Sequence, residues 1–168
     1  MKILIVDNQG IVREGLQALV EKQPDMEVVG EAGDGRTAVK LARELLPDIV
    51  IMDITMPNLD GIDETRQITK QIPDAKVIAL SINSDSRFVA DMLRAGASGY
   101  LLKTCLFDDF VQAIRTVTTG KIYLSRQVTN TMINDYISIV RIMNKLDFPD
   151  VAKLTQLALR NELTSPEF

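Results

Sequence analysis

The sequence predicts an α/β fold, with a parallel five-stranded sheet covered by helices on both faces. Five short apolar runs alternate over residues 1–120 with five amphipathic stretches of helical length, a pattern typical of parallel sheets. Asp and Gly residues stand where those helices should begin and end. The chain has 168 residues, 46% of them hydrophobic and 25% charged, which is enough to bury a core of ordinary size.

The predicted strands follow the apolar runs. These are KILIV at 2–6, MEVVGEA at 26–32, DIVIM at 48–52, KVIALS at 76–81 and SGYLLK at 98–103. The second run is the least apolar, which suits an edge strand. If the first strand lies inside, the most economical order is 2-1-3-4-5, as in flavodoxin-like folds.

The amphipathic stretches between the strands are predicted helices. They cover 10–22, 35–46, 60–71, 84–95 and 107–119. Asp34 and Asp60 can cap the free amides at two helix starts. Gly96 and Gly120 stand where two helices should end.

The pattern changes after Gly120, because residues 125–146 contain neither Gly nor Pro. A long amphipathic helix is predicted there, and its apolar face comprises Val128, Met132, Ile133, Tyr136, Ile137, Val140 and Met143. Pro149 then opens a short C-terminal helix. So much apolar surface must pack on the first domain, between the two helices, or on a second copy.

Composition narrows the function classes. A single cysteine, Cys105, cannot form an internal disulfide, and no apolar run has the length of a secretory or bilayer-spanning segment. We therefore expect a cytoplasmic protein that does not bind membranes. The net charge is −4, and no part of the chain carries the concentrated basic footprint of a nucleic-acid-binding module.

Polar residues gather at the predicted strand ends. Asp7 and Asn8 follow the first strand, Asp53 the third, Ser81 closes the fourth, and Lys103 follows the fifth. Singly, each has an ordinary explanation as a turn former, a cap or a surface charge. Together they favour function, because the carboxyl ends of neighbouring parallel strands meet beside one crevice.

These residue types suit a phosphoryl group. Carboxylates with a hard divalent cation, a lysine and a hydroxyl can neutralise phosphoryl oxygens, and one carboxylate can itself be the nucleophile that forms an acyl phosphate. A nucleophilic role would explain why the carboxylate of Asp53 ends an apolar run.

At these residues the chain resembles the receiver domains of two-component response regulators, in the NarL/LuxR-type subfamily. The resemblance covers residues 2 to 124 and rests on VREGLQALV, VVGEAGDGRTAVKLA, PDIVIMDITMPNLDGI, VIALS and AGASGYLLK, in family order and spacing. It implies that Asp53 accepts a phosphoryl group from the phosphohistidine of a sensor histidine kinase. Such a protein is a switch, not an enzyme in the ordinary sense.

The resemblance also implies roles for the surrounding residues. Asp7, Asp53 and the Thr55 carbonyl help to hold Mg²⁺. Ser81 and Lys103 bind the phosphoryl oxygens, and Tyr100 changes rotamer together with Ser81.

Asn8 departs from the family pattern, which usually has two adjacent acids after the first strand. An amide oxygen can still ligate Mg²⁺, but one negative charge is lost. Two unit charges 4 Å apart interact by about 4 kcal/mol at an effective dielectric of 20, which is a ceiling on the loss. We expect a weakened but competent site; the alternative is a receiver that takes no phosphate.

The C-terminal part departs further. Residues 142–165 resemble the end of a LuxR-type helix-turn-helix output domain, joined directly to a linker helix, and the segment that should precede that end is missing. The predicted division is therefore a receiver domain at 1–124 and a helical linker with an output-domain remnant at 125–168.

DNA recognition is not expected from this remnant. A helix-turn-helix reads bases from its second helix, most of which is missing here. The remaining cations and the acids that balance them are Arg141, Lys145, Lys153 and Arg160, with Asp135, Asp147, Asp150 and Glu162.

Three functions stay open. The first is a phosphorylation switch that controls a protein-protein or dimer interface, through the receiver surface or the C-terminal helices. The second is a phosphorylation-impaired receiver that acts as a dimerisation or protein-interaction module. The third is a DNA-binding transcription regulator, as its relatives are.

Overall fold

The structure is a computed structural model and describes residues 1–56 and 61–145. Within these ranges, six parallel strands form one sheet in the order β2-β1-β3-β4-β5-β6. The elements in chain order are β1 Lys2–Val6, α1 Gly10–Glu21, β2 Glu27–Ala32, α2 Gly35–Leu45, β3 Ile49–Asp53, α3 Gly61–Gln71, β4 Lys76–Ser81, α4 Ser86–Arg94, β5 Gly99–Leu102, a 3₁₀ turn Lys103–Cys105, α5 Leu106–Thr118, β6 Tyr123–Leu124 and α6 Arg126–Lys145. The predicted α/β class and the strand order 2-1-3-4-5 are confirmed.

The inner strands β1, β3, β4 and β5 are buried on both faces, as their nearly continuous apolar sequences predict. In β1, Ile3 and Ile5 pack beneath α1 and α5 on one face, whereas Leu4 and Val6 pack beneath α2 and α3 on the other. Alternate residues of a strand point to opposite faces, so one strand serves both halves of the core. This arrangement leaves the carboxyl ends of the strands at one edge of the sheet.

The helix ends follow their capping residues. Asp34 accepts a hydrogen bond from the Thr37 amide at 2.9 Å, so α2 begins where predicted. Asp85 accepts from the Arg87 amide at 2.8 Å, which starts α4 two residues later than predicted. Gly96 and Gly120 have φ of 102° and 81°. Asp60, the other predicted cap, lies outside the described residues.

The sixth strand was not predicted. β6 pairs with β5 in parallel, with Tyr123 opposite Gly99 and Leu124 opposite Tyr100. The Ser125 amide extends this ladder by donating to the Tyr100 carbonyl at 3.1 Å. The chain that leaves α5 is therefore fixed to the sheet immediately before α6 begins.

The long helix predicted at 125–146 is present as α6. Contacts divide the chain into the units Met1–Thr129 and Asn130–Phe168, while the predicted boundary at residue 124 stays a prediction. The described part of the second unit exposes four large apolar side chains, Ile133, Tyr136, Ile137 and Ile139. The short helix predicted from Pro149, and most of the output-domain remnant at 142–165, lie outside the described residues. None of the helices within the described ranges combines the length and apolar character that crossing a bilayer requires.

Candidate functional site

Two buried carboxylates stand side by side at the carboxyl edge of the sheet. Asp7 follows β1 and Asp53 ends β3, the neighbouring strand; the two residues are 0% and 1% exposed. The Oδ1 atom of Asp7 accepts a hydrogen bond from the Gln9 amide at 2.8 Å. The Oδ1 atom of Asp53 accepts from the Thr55 amide at 2.8 Å and from the Thr55 hydroxyl at 2.6 Å. One oxygen of each acid is thus held by its own turn.

The other oxygen of each acid contacts Lys103. The Nζ atom of Lys103 lies 2.7 Å from Oδ2 of Asp7 and 2.9 Å from Oδ2 of Asp53. Burial disfavours the charge on this ammonium, but hydrogen bonds and charge from Asp53 and Asp7 outweigh burial and raise the pKa of Lys103. The three charged groups sum to a negative charge, so the crevice can attract a further cation.

Ser81 and Tyr100 meet through one loop residue. The Ser81 hydroxyl accepts a hydrogen bond from the Asn83 amide at 2.9 Å, and the Tyr100 hydroxyl donates to the Asn83 carbonyl at 2.7 Å. Both side chains are buried, and burial raises the pKa of Tyr100 against the opposing effect of Ser81. The two predicted switch residues therefore contact the amide and the carbonyl of the same loop residue, Asn83.

Thr55 and Asn8 are exposed, unlike the buried Asp7 and Asp53. Thr55 is exposed, yet its amide and hydroxyl fix Asp53, a role that sequence reasoning did not assign to it. Asn8 follows Asp7 directly and is also exposed. Metal ligation by the Thr55 carbonyl and by Asn8 stays a prediction.

The acid set fits Mg²⁺. Across 1–56 and 61–145, no group of three or more His, Cys, Asp or Glu side chains is arranged to hold a metal. Mg²⁺ does not need such a cage, because proteins commonly hold it with one or two carboxylates, water and substrate phosphate oxygens. Asp7 and Asp53 supply that number of carboxylates.

Two residues that contribute to this region were missed by sequence reasoning. The Arg13 guanidinium, on α1, donates through Nη1 to the main-chain oxygen of Asp7 at 2.7 Å and through Nε to Oε2 of Glu31 at 2.9 Å. Along the sequence, Arg13 is one cation on an amphipathic helix, and Glu31 is one acid on an edge strand. Only the folded chain brings the Arg13 guanidinium to both the Asp7 carbonyl and the Glu31 carboxylate.

Comparison with known proteins agrees with this geometry. The family model "Response regulator receiver domain" matches residues 3–115. The chain is 43% identical over 136 residues to transcriptional regulatory protein LnrK of Bacillus subtilis (strain 168), covering 81% of this chain and 62% of LnrK. It is 38% identical over 140 residues to transcriptional regulatory protein DegU of Brevibacillus brevis, covering 83% of this chain and 59% of DegU. The chain thus spans about three fifths of the length of these curated relatives.

Solved structures of response regulators are also similar to this chain. A two-component response regulator of the LuxR family from Aurantimonas sp. SI85-9A1 has a TM-score of 0.77 and 36% identity, covering 81% of this chain and 97% of that one. The isolated REC domain of RcsB from Salmonella enterica serovar Typhimurium, in the presence of phosphomimetic BeF3-, has a TM-score of 0.72 and 25% identity, covering 78% of this chain and 97% of that one.

Proposed function

This chain belongs to the response regulator receiver domain family, and from that premise we propose that it is a phosphorylation switch in a two-component system. Asp53 accepts a phosphoryl group from the phosphohistidine of a sensor histidine kinase. The observation that carries the proposal is the placement of Lys103 between Asp53 and Asp7, with nitrogen-oxygen distances of 2.9 and 2.7 Å.

The transfer step uses the oxygen of Asp53 that faces Lys103. Oδ1 accepts two hydrogen bonds from Thr55, whereas Oδ2 accepts one, from Lys103, so we take Oδ2 as the oxygen that attacks phosphorus. The new O–P bond forms as the P–N bond to imidazole breaks, and the imidazole leaves with its electron pair. Lys103 then exchanges the Asp53 oxygen for a phosphoryl oxygen, which keeps its ammonium paired.

Mg²⁺ is the proposed cofactor of this step. Asp7 and Asp53 would hold it, with the Thr55 carbonyl and the Asn8 amide as further oxygen donors. When bound, it neutralises charge on the phosphoryl oxygens. Since Asn8 is neutral, we propose a competent site with a higher Mg²⁺ requirement than one with two adjacent acids.

The switch passes through Asn83. When Ser81 donates its hydroxyl proton to a phosphoryl oxygen, it turns away from the Asn83 amide that it accepts from at 2.9 Å. Asn83 then shifts, and Tyr100, which donates to the carbonyl of that residue at 2.7 Å, gains a second rotamer. Phosphorylation thereby selects one of two arrangements of the surface near α4 and β5.

The proposed partners are the kinase and a second copy of the chain, in the cytoplasm. Dimerisation uses either the receiver surface or α6, whose exposed face includes Ile133 and Ile137, 51% and 41% exposed. Regulation of transcription is the role that the relatives' names carry, and we do not propose specific DNA binding for this chain.

Phosphorylation from acetyl phosphate with Mg²⁺, followed by intact-mass measurement, tests the main proposal. The wild type should gain a phosphoryl group and Asp53→Asn should not. Asp63→Asn is the matched control, because Asp63 is an exposed acid on α3 that pairs with Arg66. Absence of added mass on the wild type, under conditions that modify a standard receiver, would refute the proposal.

The second candidate function, an interaction module independent of phosphate, is favoured by the neutral Asn8 and by the exposed apolar face of α6. Light scattering on Ile133→Glu/Ile137→Glu decides it, with Ser138→Glu as a control on the same helix. Loss of a phosphate-independent dimer only in the double variant supports the module, whereas no dimer in the wild type excludes this form of it.

A further inference from the structure

Arg13 connects α1 to the main chain of Asp7 and to the end of β2. Its Nη1 atom donates to the Asp7 carbonyl at 2.7 Å, and its Nε atom pairs with Oε2 of Glu31 at 2.9 Å. The side chains of Arg13 and Glu31 are only 25% and 35% exposed, so solvent screens this pair less than an open surface pair. A planar guanidinium can satisfy both acceptors at once.

This contact completes the restraint of Asp7. The Asp7 amide donates to the Ala32 carbonyl at 3.0 Å, and its Oδ1 atom accepts from the Gln9 amide at 2.8 Å. The Gln9 carbonyl accepts from the Arg13 amide at 3.2 Å, so the side chain and the main chain of Arg13 both reach the same turn. Without Arg13, the Asp7 carbonyl would lose the hydrogen bond that it accepts from α1. The orientation of the Asp7 carboxylate would then be less restrained.

The charge of Arg13 matters as well. The Arg13 guanidinium contacts the main-chain carbonyl of Asp7. Without an acid to pair with it, its positive charge would repel a divalent cation that approaches the Asp7 carboxylate. Glu31 pairs with that charge, and the neighbouring Asn8 supplies no second acid to offset it. The Arg13–Glu31 pair therefore supplies a hydrogen-bond donor to the Asp7 carbonyl and adds little net charge beside Asp7.

We propose that Arg13 is a positioning residue for phosphoryl acceptance: it holds Asp7 where this acid binds Mg²⁺, while Glu31 cancels its charge. The proposal rests on the proposed function of Asp7 and Asp53. It assigns Arg13 no contact with the phosphoryl group.

The test titrates Mg²⁺ into the full chain with two readouts. The first is binding itself, followed by the NMR amide shifts of Gln9 and Lys103 in unphosphorylated protein. The second is the rate of phosphorylation by acetyl phosphate at each Mg²⁺ concentration. Three variants are compared with the wild type: Arg13→Ala, Arg13→Lys and Glu31→Gln.

The matched control is Arg115→Ala. Arg115 pairs with Asp25 at 2.9 Å, also between a helix and the approach to β2, but Asp25 precedes that strand and so lies at the opposite edge of the sheet. Arg115→Ala therefore removes an Arg–carboxylate pair that lies far from Asp7 and Asp53.

Arg13→Ala should raise the half-saturating Mg²⁺ concentration about tenfold, the lower end of the effect of removing a group that orients a metal ligand. Its maximal rate at saturating Mg²⁺ should stay within about twofold, since Arg13 does not touch the reacting atoms. Arg13→Lys should recover part of the affinity. Glu31→Gln should raise the Mg²⁺ midpoint by an amount that shrinks in high salt.

An unchanged Mg²⁺ midpoint in Arg13→Ala, with a stability loss equal to that of Arg115→Ala, would make Arg13 purely structural and overturn the proposal. If Arg13→Ala does not fold, Arg13→Lys and Glu31→Gln decide by the same midpoint. A wild type that binds Mg²⁺ but takes no phosphoryl group refutes the proposed function, while the NMR titration still decides the role of Arg13. A wild type with no Mg²⁺ shifts overturns both.

Discussion

The ammonium nitrogen of Lys103 lies 2.9 Å from Oδ2 of Asp53, in a crevice where Asp53 is 1% exposed. The same nitrogen contacts Asp7, so one cation serves two acids that water scarcely reaches. In the proposed switch, a metal ion and a phosphoryl group together take over the partners of Lys103.

Lys103→Met should lower the free energy of unfolding by about 3 kcal/mol in EDTA at neutral pH, because it leaves two buried carboxylates without their counter-ion. The lower end of the range for buried pairs applies, since the Lys103 side chain is 11% exposed. Mg²⁺ should recover part of the loss by replacing the ammonium. Urea unfolding with and without Mg²⁺ measures both effects.

The control for that loss is Lys40→Met, since Lys40 is exposed and 4.0 Å from Glu44. Its effect should stay below about 0.5 kcal/mol. Equal losses in the two variants would mean that Lys103 does not stabilise the acids.

Asn8→Asp should lower the half-saturating Mg²⁺ concentration about tenfold, which is about 1.4 kcal/mol, since an exposed acid adds only a small part of the full Coulomb attraction to the cation. In EDTA the variant should be less stable than the wild type, because three acids then share one ammonium. Titration of Mg²⁺ by NMR measures the change, with the exposed Asn134→Asp on α6 as control. A midpoint equal to that of the control would show that position 8 does not face the metal.

Tyr100 should ionise above pH 10, since burial raises its pKa from the ordinary value of 10.0. A raised pKa in the folded state means that the stability contributed by the protonated phenol is present below pH 10 and is lost as the pH rises through the folded-state value. The absorbance of phenolate, wild type minus Tyr100→Phe, measures this ionisation. A difference that titrates at or below pH 10 contradicts the placement of Tyr100.

Asp34→Ala and Ser125→Ala should differ, although each residue precedes a helix. Asp34 accepts from the Thr37 amide and hydroxyl, so its loss should cost about 1 kcal/mol at neutral pH. The Ser125 hydroxyl is buried without a hydrogen-bond partner, so Ser125→Ala should change stability by less than about 0.5 kcal/mol or increase it. Urea unfolding compares the two, and equal losses would be inconsistent with these contacts.

The Asp34 effect should also depend on pH. Hydrogen bonds from Thr37 hold the pKa of Asp34 below its ordinary value of 3.8. Its stabilising contribution is therefore present above pH 3.8 and disappears as the pH falls through the lower, folded-state pKa. The gap between wild type and Asp34→Ala should close in acid, and a gap that persists there would assign it to something other than the carboxylate.

Most of the fold was predictable because its inner strands are apolar runs that are buried on both faces of the sheet. The run at 49–52 identified β3 in this way, and Asp34 and Gly96 marked helix ends by their capping chemistry. β6 escaped prediction because two residues, Tyr123 and Leu124, carry no periodicity, and their pairing with β5 arises only from the tertiary path of the chain.

The residues of the site could be predicted where a polar side chain stands at the carboxyl end of a strand. Asp7, Asp53 and Lys103 meet because parallel strands bring their carboxyl ends to one edge. Contacts made through main-chain groups were not predictable, because a carbonyl leaves no signature in the sequence. The donation from Arg13 to the Asp7 carbonyl is the clearest example.

Phosphoryl acceptance by Asp53 is tested most directly by ¹⁹F NMR of beryllofluoride, a mimic of the phosphoryl group, added to the full chain with Mg²⁺. We expect protein-bound fluorine resonances that require Mg²⁺ and disappear in Asp53→Asn. Bound resonances that survive in Asp53→Asn, or their absence from the wild type at saturating Mg²⁺, would contradict phosphoryl acceptance by Asp53.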